Sequence, residues 1–174
     1  MARRSSAHMQ VLLTFDVDAE SAQVRKTPHL PVTLSKGQFA RVGVERILAL
    51  LDRHKIRSTF FVPSWTAEHY ADLMREIVRH GHEIAAHGYL HENFSELSDQ
   101  GERDVHERSA RILRGIAGTK PIGFRAPYWE WSTRTLALLR EYGFVYDSSL
   151  MNDDKPYMIR EGDEESRMWE LPVE

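Results

Sequence analysis

Two short segments constrain this chain more than any others: Thr14-Phe15-Asp16-Val17-Asp18-Ala19-Glu20 and His87-Gly88-Tyr89-Leu90-His91. Each sits at the end of an apolar run that reads as a strand, residues 11–15 in the first case and 82–86 in the second. Carboxylates at the end of one strand and imidazoles at the end of another can converge on one divalent metal. A catalytic site of the zinc type needs three N/O ligands and one position open for water. It also needs a nearby carboxylate that is not a ligand and can act as base. Asp16, Asp18, His87 and His91 supply these parts and point to a metal-dependent hydrolase.

The rest of the chain gives these segments a scaffold. Residues 11–15 read as a buried strand. Further strands are expected over 57–62, 82–86, 122–125, 144–146 and 168–173. Helical spacing of apolar residues predicts helices over 39–54, 66–80, 99–115 and 132–141. Gly81 and Gly143 read as C-terminal stops and Ser132 as an N-cap. Pro28, Pro31 and Gly37 mark residues 19–36 as a long loop. Strands alternating with helices predict an α/β fold with a parallel sheet, open or closed into a barrel. Ligands of such folds gather at the carboxyl ends of the strands. Asp16, Asp18, His87, His91 and Arg125 all lie there. Arg125 closes strand four in Gly123-Phe124-Arg125-Ala126-Pro127-Tyr128, and an arginine buried at that place needs a carboxylate partner.

Composition narrows the function classes. With 174 residues, 41% of them hydrophobic, the chain is expected to form one domain over 1–174. Its formal charge of −3 gives no electrostatic footprint for nucleic acid. It has no cysteine, which excludes disulfides, thiolate metal sites and a thiol nucleophile. No run approaches the ~20 apolar residues of a membrane span, and no signal-peptide pattern follows Met1. A cytoplasmic location is therefore expected. The acidic stretch over 161–165 reads as a solvated loop.

Taken together and in this order, three segments resemble the motifs of the polysaccharide deacetylase family, that is, the NodB-homology or family 4 carbohydrate esterases. Thr14 to Asp18 is similar to its T-F-D-D motif, His87-x-x-x-His91 to its H-[ST]-x-x-H motif, and Arg125-x-Pro127-Tyr128 to its R-x-P-[YF] motif. The resemblance runs from about Val11 to Leu150 and implies a distorted (β/α) barrel. It also implies roles. Asp18, His87 and His91 hold a divalent metal, with zinc the best fit to two imidazoles and a carboxylate. Asp16 is the general base, Arg125 orients Asp16 and keeps it ionised, and a backbone N–H near Tyr128 helps hold the oxyanion.

Two departures shape the expectation. Val17 is inserted between the acids, giving D-V-D-A-E, which is similar to a branch containing peptidoglycan deacetylase-like, allantoinase-like and cyclic-imide hydrolase proteins. That branch implies hydrolysis of non-peptide C–N bonds, in N-acetyl sugars or in small cyclic amides and imides, by homo-oligomers, commonly tetramers. The second departure is that no histidine occupies the place of the family's catalytic acid, and the late strands are missing. A barrel incomplete within 174 residues is expected, with a non-catalytic metal- or carbohydrate-binding module as the alternative of another class. Tyr128, Trp129 and Trp131 either line a substrate pocket or pack under the sheet. Glu20 and Glu92 are further candidates for ligand contact, and Asp147 for a supporting role.

Overall fold

A computed structural model describes residues 11–27, 29, 37 and 39–173. β-branched and aromatic residues dominate the second strand, Thr59-Phe60-Phe61-Val62, whereas other strands are set by their place in the sheet. β1 (Thr14–Asp16), β2 (Thr59–Val62), β3 (Glu83–Ala86), β4 (Gly123–Phe124), β5 (Tyr146–Asp147), β6 (Tyr157–Glu161) and β7 (Glu164–Glu170) form one sheet in the order β1-β2-β3-β4-β5-β7-β6. All neighbours pair in parallel except β6, which pairs antiparallel with β7. The described residues thus form an open sheet with the parallel core of the expected α/β fold, and β1 and β6 are its edges.

Alternation along the strands separates two faces. Phe60, Val62, Ile84, Ala86 and Phe124 belong to the main core. This core is covered by α2 (Phe39–His54), α4 (Ala71–Arg79) and α5 (Asp99–Ala117), which contribute Val44, Leu48, Leu51, Leu73, Met74, Ile77 and Leu113. Phe61, Ala85 and Tyr146 point the other way and form a small cluster with Leu171. That second face holds a cavity of about 410 Å³, lined in part by Leu13, Thr59, Glu83 and Tyr146. Gly123 is required here, because a Cβ at this position would overlap the Tyr146 ring.

Several expectations need correction. Val11, Leu12 and Leu13 are 67%, 57% and 40% exposed rather than buried, because they precede β1 at the sheet edge. Residues 19–36 are not all loop, since Ser21–Lys26 form a short helix, α1. Residues 28 and 30–36 lie outside the described residues. The helix expected over 66–80 is two helices, α3 (Ser64–His69) and α4, separated at Tyr70 (φ −123°, ψ 39°). The acidic stretch over 161–165 is exposed as expected, but it is the tip of the β6–β7 hairpin, with Gly162 at φ 63° in the turn. Strand β6 itself was not expected. The strand expected over 168–173 is β7, which starts four residues earlier and ends three earlier, and the helix expected from Ser132 is Thr135–Glu141 with Arg134 in the N-cap position. Ser98 caps α5 by accepting from the Gly101 N–H at 3.1 Å, and Gly118 ends it in a left-handed conformation. Among the described residues no helix is long and apolar enough to cross a membrane.

Candidate metal centre

The site forms at the carboxyl ends of β1, β3 and β4. Asp16 is the last residue of β1, and the Val17 N–H continues the ladder to the Phe61 carbonyl at 2.9 Å. The chain then turns. The Asp18 carbonyl accepts from the Ser21 N–H at 3.1 Å and from Thr66 Oγ1 at 2.7 Å, while Ala19 takes φ 48°. The inserted Val17 is buried in the main core, so Asp16 and Asp18 both face the site on either side of one anchored residue.

His87 follows β3 directly, and Gly88 (φ 72°) reverses the chain. The Gly88 carbonyl is held by the Ser64 N–H and by Ser109 Oγ, both at 3.0 Å. Glu92 accepts from the Tyr89 and Leu90 N–H groups at 2.9 and 2.8 Å. It therefore braces the loop that presents His91, which itself adopts φ 56°.

Three ligand groups converge. His87 Nε2 lies 3.6 Å from Asp18 Oδ1, and His91 Nε2 lies 3.5 Å from Asp18 Oδ2. One ligand atom from each of the three residues falls within 4.8 Å of the others. Ligands about 2.0–2.2 Å from a tetrahedral ion lie about 3.3–3.6 Å apart, so the set fits a divalent metal. Asp18 Oδ1 is buried without a hydrogen-bond partner, as a ligand oxygen would be without its ion. His87 Nδ1 donates to the Arg125 carbonyl at 2.7 Å, which leaves the Nε2 lone pair facing the cluster. Burial lowers the pKa of both His87 and His91, which favours the neutral, ligating form. Burial raises that of Asp18, a cost that a bound cation offsets.

Asp16 stands outside the ligand set. Its Oδ1 accepts from Arg125 Nη1 at 2.6 Å. Arg125 is fixed in turn by the Ser148 carbonyl (2.8 Å), Ser148 Oγ (2.7 Å) and Thr14 Oγ1 (3.0 Å), and its guanidinium stacks 4.0 Å from the Phe61 ring. The carboxylate partner required for a buried arginine is therefore Asp16. The contributions of Thr14 and Ser148 were not foreseen, since a hydroxyl one or two residues from an acid carries no signal in sequence alone.

The remaining candidates divide. Tyr128 and Trp129 are 39% and 49% exposed at consecutive left-handed residues (φ 62° and 58°), and the Tyr128 ring meets the His91 ring edge-on at 4.7 Å. Trp131 packs against the main core instead. Glu20 is buried, with both carboxylate oxygens taken by the Tyr70 hydroxyl at 3.0 and 2.9 Å, which ties the start of α1 to the α3–α4 break.

Asp147 does take a supporting place, in a form sequence did not reveal. It pairs in register with Glu170, and both are fully buried. Asp147 accepts from the Ser149 N–H (2.8 Å) and Ser149 Oγ (2.9 Å), and Ser149 Oγ accepts from the Ala126 N–H at 2.8 Å. Burial raises the pKa of both Glu170 and Asp147, and the facing carboxyl takes Glu170 the further above the usual carboxylate range, so the pair holds a proton at neutrality. The unfolded chain releases that proton above about pH 4.3. The native state then binds the extra proton, so stability falls as pH rises, by up to about 1.4 kcal/mol per pH unit. Urea unfolding of Glu170→Gln at pH 5 and pH 8 is expected to show this slope reduced by about one proton; an unchanged slope would mean that the pair ionises normally.

Three side chains that could hold a metal at the strand ends of a parallel sheet, beside a carboxylate paired with a buried arginine, define an α/β protein with a candidate metal centre. The chain belongs to the polysaccharide deacetylase family: the model of that family matches residues 4–146. It is 41% identical over 140 residues to the peptidoglycan deacetylase of Helicobacter pylori, covering 79% of this chain and 48% of that protein. It is 37% identical over 152 residues to the peptidoglycan deacetylase-like protein FGM2 of Gibberella zeae, covering 84% and 45%. The chain thus spans about half the length of these relatives. Among solved structures, a Mycobacterium smegmatis protein classed as a polysaccharide deacetylase superposes with TM-score 0.86 at 43% identity, covering 94% of this chain and 58% of that one. Puue allantoinase superposes with TM-score 0.80 at 23% identity, covering 92% and 60%, a likeness of fold.

Proposed function

We propose that this site hydrolyses non-peptide C–N bonds, removing acetyl groups from N-acetyl sugars. The observation that carries this reading is the separation of roles between the two acids: Asp18 joins His87 and His91, while Asp16 is held apart by Arg125. Asp18, His87 and His91 would hold the ion, and their N/O donor set fits zinc. Bound there, a divalent ion supplies a Lewis acid that polarises the amide carbonyl and acidifies water. Asp16 takes the proton of the attacking water, and Arg125 holds the Asp16 carboxylate in place for that transfer. The backbone N–H of Tyr128 is the proposed donor to the oxyanion. Tyr128 and Trp129 offer exposed aromatic faces to the substrate, whereas Glu20 serves as an internal brace. Water adds to the acetamide carbon, the leaving nitrogen takes up the proton that Asp16 accepted, the C–N bond breaks, and acetate and a free amine are the products.

Hydrolysis of small cyclic amides or imides is the second reading, favoured by the Asp16-Val17-Asp18 spacing. Elemental mass spectrometry on the purified chain, with acetate release from chitotriose and ring opening of succinimide measured on the same sample, separates these readings. About one zinc per chain and zinc-dependent acetate release are expected. Ring opening alone would move the assignment to the imide. Metal binding with turnover of neither would leave a metal- or carbohydrate-binding module.

A further inference from the structure

The short helix α1 was not foreseen, and its last turn projects two cations over the rim of the site. Arg25 Nη2 donates to the Tyr128 hydroxyl at 3.3 Å, and Lys26 Nζ lies 5.5 Å from the centre of the same ring. The Tyr128 ring in turn meets His91. Three side chains from two segments far apart in sequence therefore form one ridge beside a metal ligand.

Some arginines of this protein pair with carboxylates, and the two cations on the ridge do not. Arg41, Arg103, Arg125, Arg134 and Arg140 all make ion pairs. Neither Arg25 nor Lys26 has a carboxylate partner among the described residues, and Arg25 Nε is buried with no acceptor. The sequence from Ser21 to Val44 contains no Asp or Glu, so the local segment cannot supply one. The acids just upstream in sequence are already engaged: Asp16 by Arg125, Glu20 by Tyr70, and Asp18 by the histidine cluster. Burying a guanidinium nitrogen without an acceptor is costly unless a ligand completes it.

We propose that Arg25 and Lys26 form an anion-recognition subsite that selects N-acyl sugars carrying a carboxylate close to the acylated nitrogen. The inference rests on the hydrolase reading above and deepens it. Arg25 offers a planar fork suited to a carboxylate. Lys26 adds an exposed point charge, and the faces of Tyr128 and Trp129 suit the apolar side of a pyranose ring. The neutral acetamide enters toward Asp16 while the acid is held on the ridge.

The test uses N-acetylmuramic acid and its methyl ester, two sugars that differ only in that charge. Dissociation constants are measured by ligand-observed NMR on the zinc-loaded chain, for wild type and for Arg25→Gln/Lys26→Gln, with acetate release followed separately. Wild type is expected to bind the acid about tenfold more tightly than the ester, and the double variant to bind both within twofold. Equal affinities in wild type, or a preference that survives in the double variant, overturn the subsite. If Arg25→Gln disrupts α1, Lys26→Gln alone, at an exposed side chain, is expected to lose part of the preference; a full preference there counts against the proposal. A preference for the acid without acetate release from either sugar supports the subsite and removes the hydrolase reading. Hydrolysis of both with equal kcat/KM supports the hydrolase and removes the subsite.

Discussion

Asp16→Asn is expected to retain about one metal per chain while its turnover falls about 1000-fold. Asparagine keeps the shape of the side chain and an oxygen that accepts from Arg125 Nη1, so the 2.6 Å contact and the packing of Arg125 on Phe61 survive. The Asp16 carboxylate is absent from the cluster of Asp18, His87 and His91, so the ligand set is untouched. What is lost is proton acceptance, and a positioned general base contributes typically 10²–10⁴-fold. Metal content by elemental mass spectrometry and kcat for acetate release are measured on the same preparation. Turnover within a few-fold of wild type would remove Asp16 from the role of base. Loss of metal would place Asp16 among the ligands.

The chemistry of this site was more legible than its support. Asp16, Asp18, His87, His91 and Arg125 sit within a few residues of strand ends, and the rule that parallel sheets gather ligands at their carboxyl edge brings them together without knowledge of register. Helices such as Phe39–His54 were legible because a long apolar period repeats several times. The short α1 was not, since six residues with one fully buried side chain give no period to read. Strand β6 was hidden for a related reason: its residues alternate weakly, and only Ile159 is buried. Tyr70 fitted the apolar period of its neighbours, and the break there follows from its hydroxyl reaching Glu20, fifty residues away in sequence. The Asp147–Glu170 pair depends on β5 meeting β7 across the order of the sheet. Local pattern reads elements and their ends, whereas contacts made across the sheet or between loops depend on tertiary packing.

His87→Ala is expected to lose the metal altogether under conditions where Asp16→Asn retains it. Removing merely an outer partner of a metal ligand typically costs ~10–100-fold in affinity, so removing one of three ligands is expected to cost more than about 100-fold. His87 is the best placed of the three for this test. It is buried, its Nδ1 is committed to the Arg125 carbonyl, and its Nε2 alone faces the cluster. The substitution also takes away that carbonyl's donor and leaves a cavity, so some loss of stability accompanies it. His106 separates the two effects. It is equally buried, packs among Phe94, Phe124, Tyr142 and Phe144, and is pushed down to about 3 by burial, with no place in the cluster. His106→Gln is therefore expected to lower the urea midpoint while keeping about one metal per chain. His87→Ala is expected to lose the metal even at temperatures where its circular dichroism matches wild type. If both variants lost metal in proportion to their stability, the ion would be following the fold rather than His87. Equal metal content in wild type and His87→Ala would show that this imidazole is not a ligand. The contrast between two histidines of similar burial assigns the cluster on binding alone, before any substrate is known.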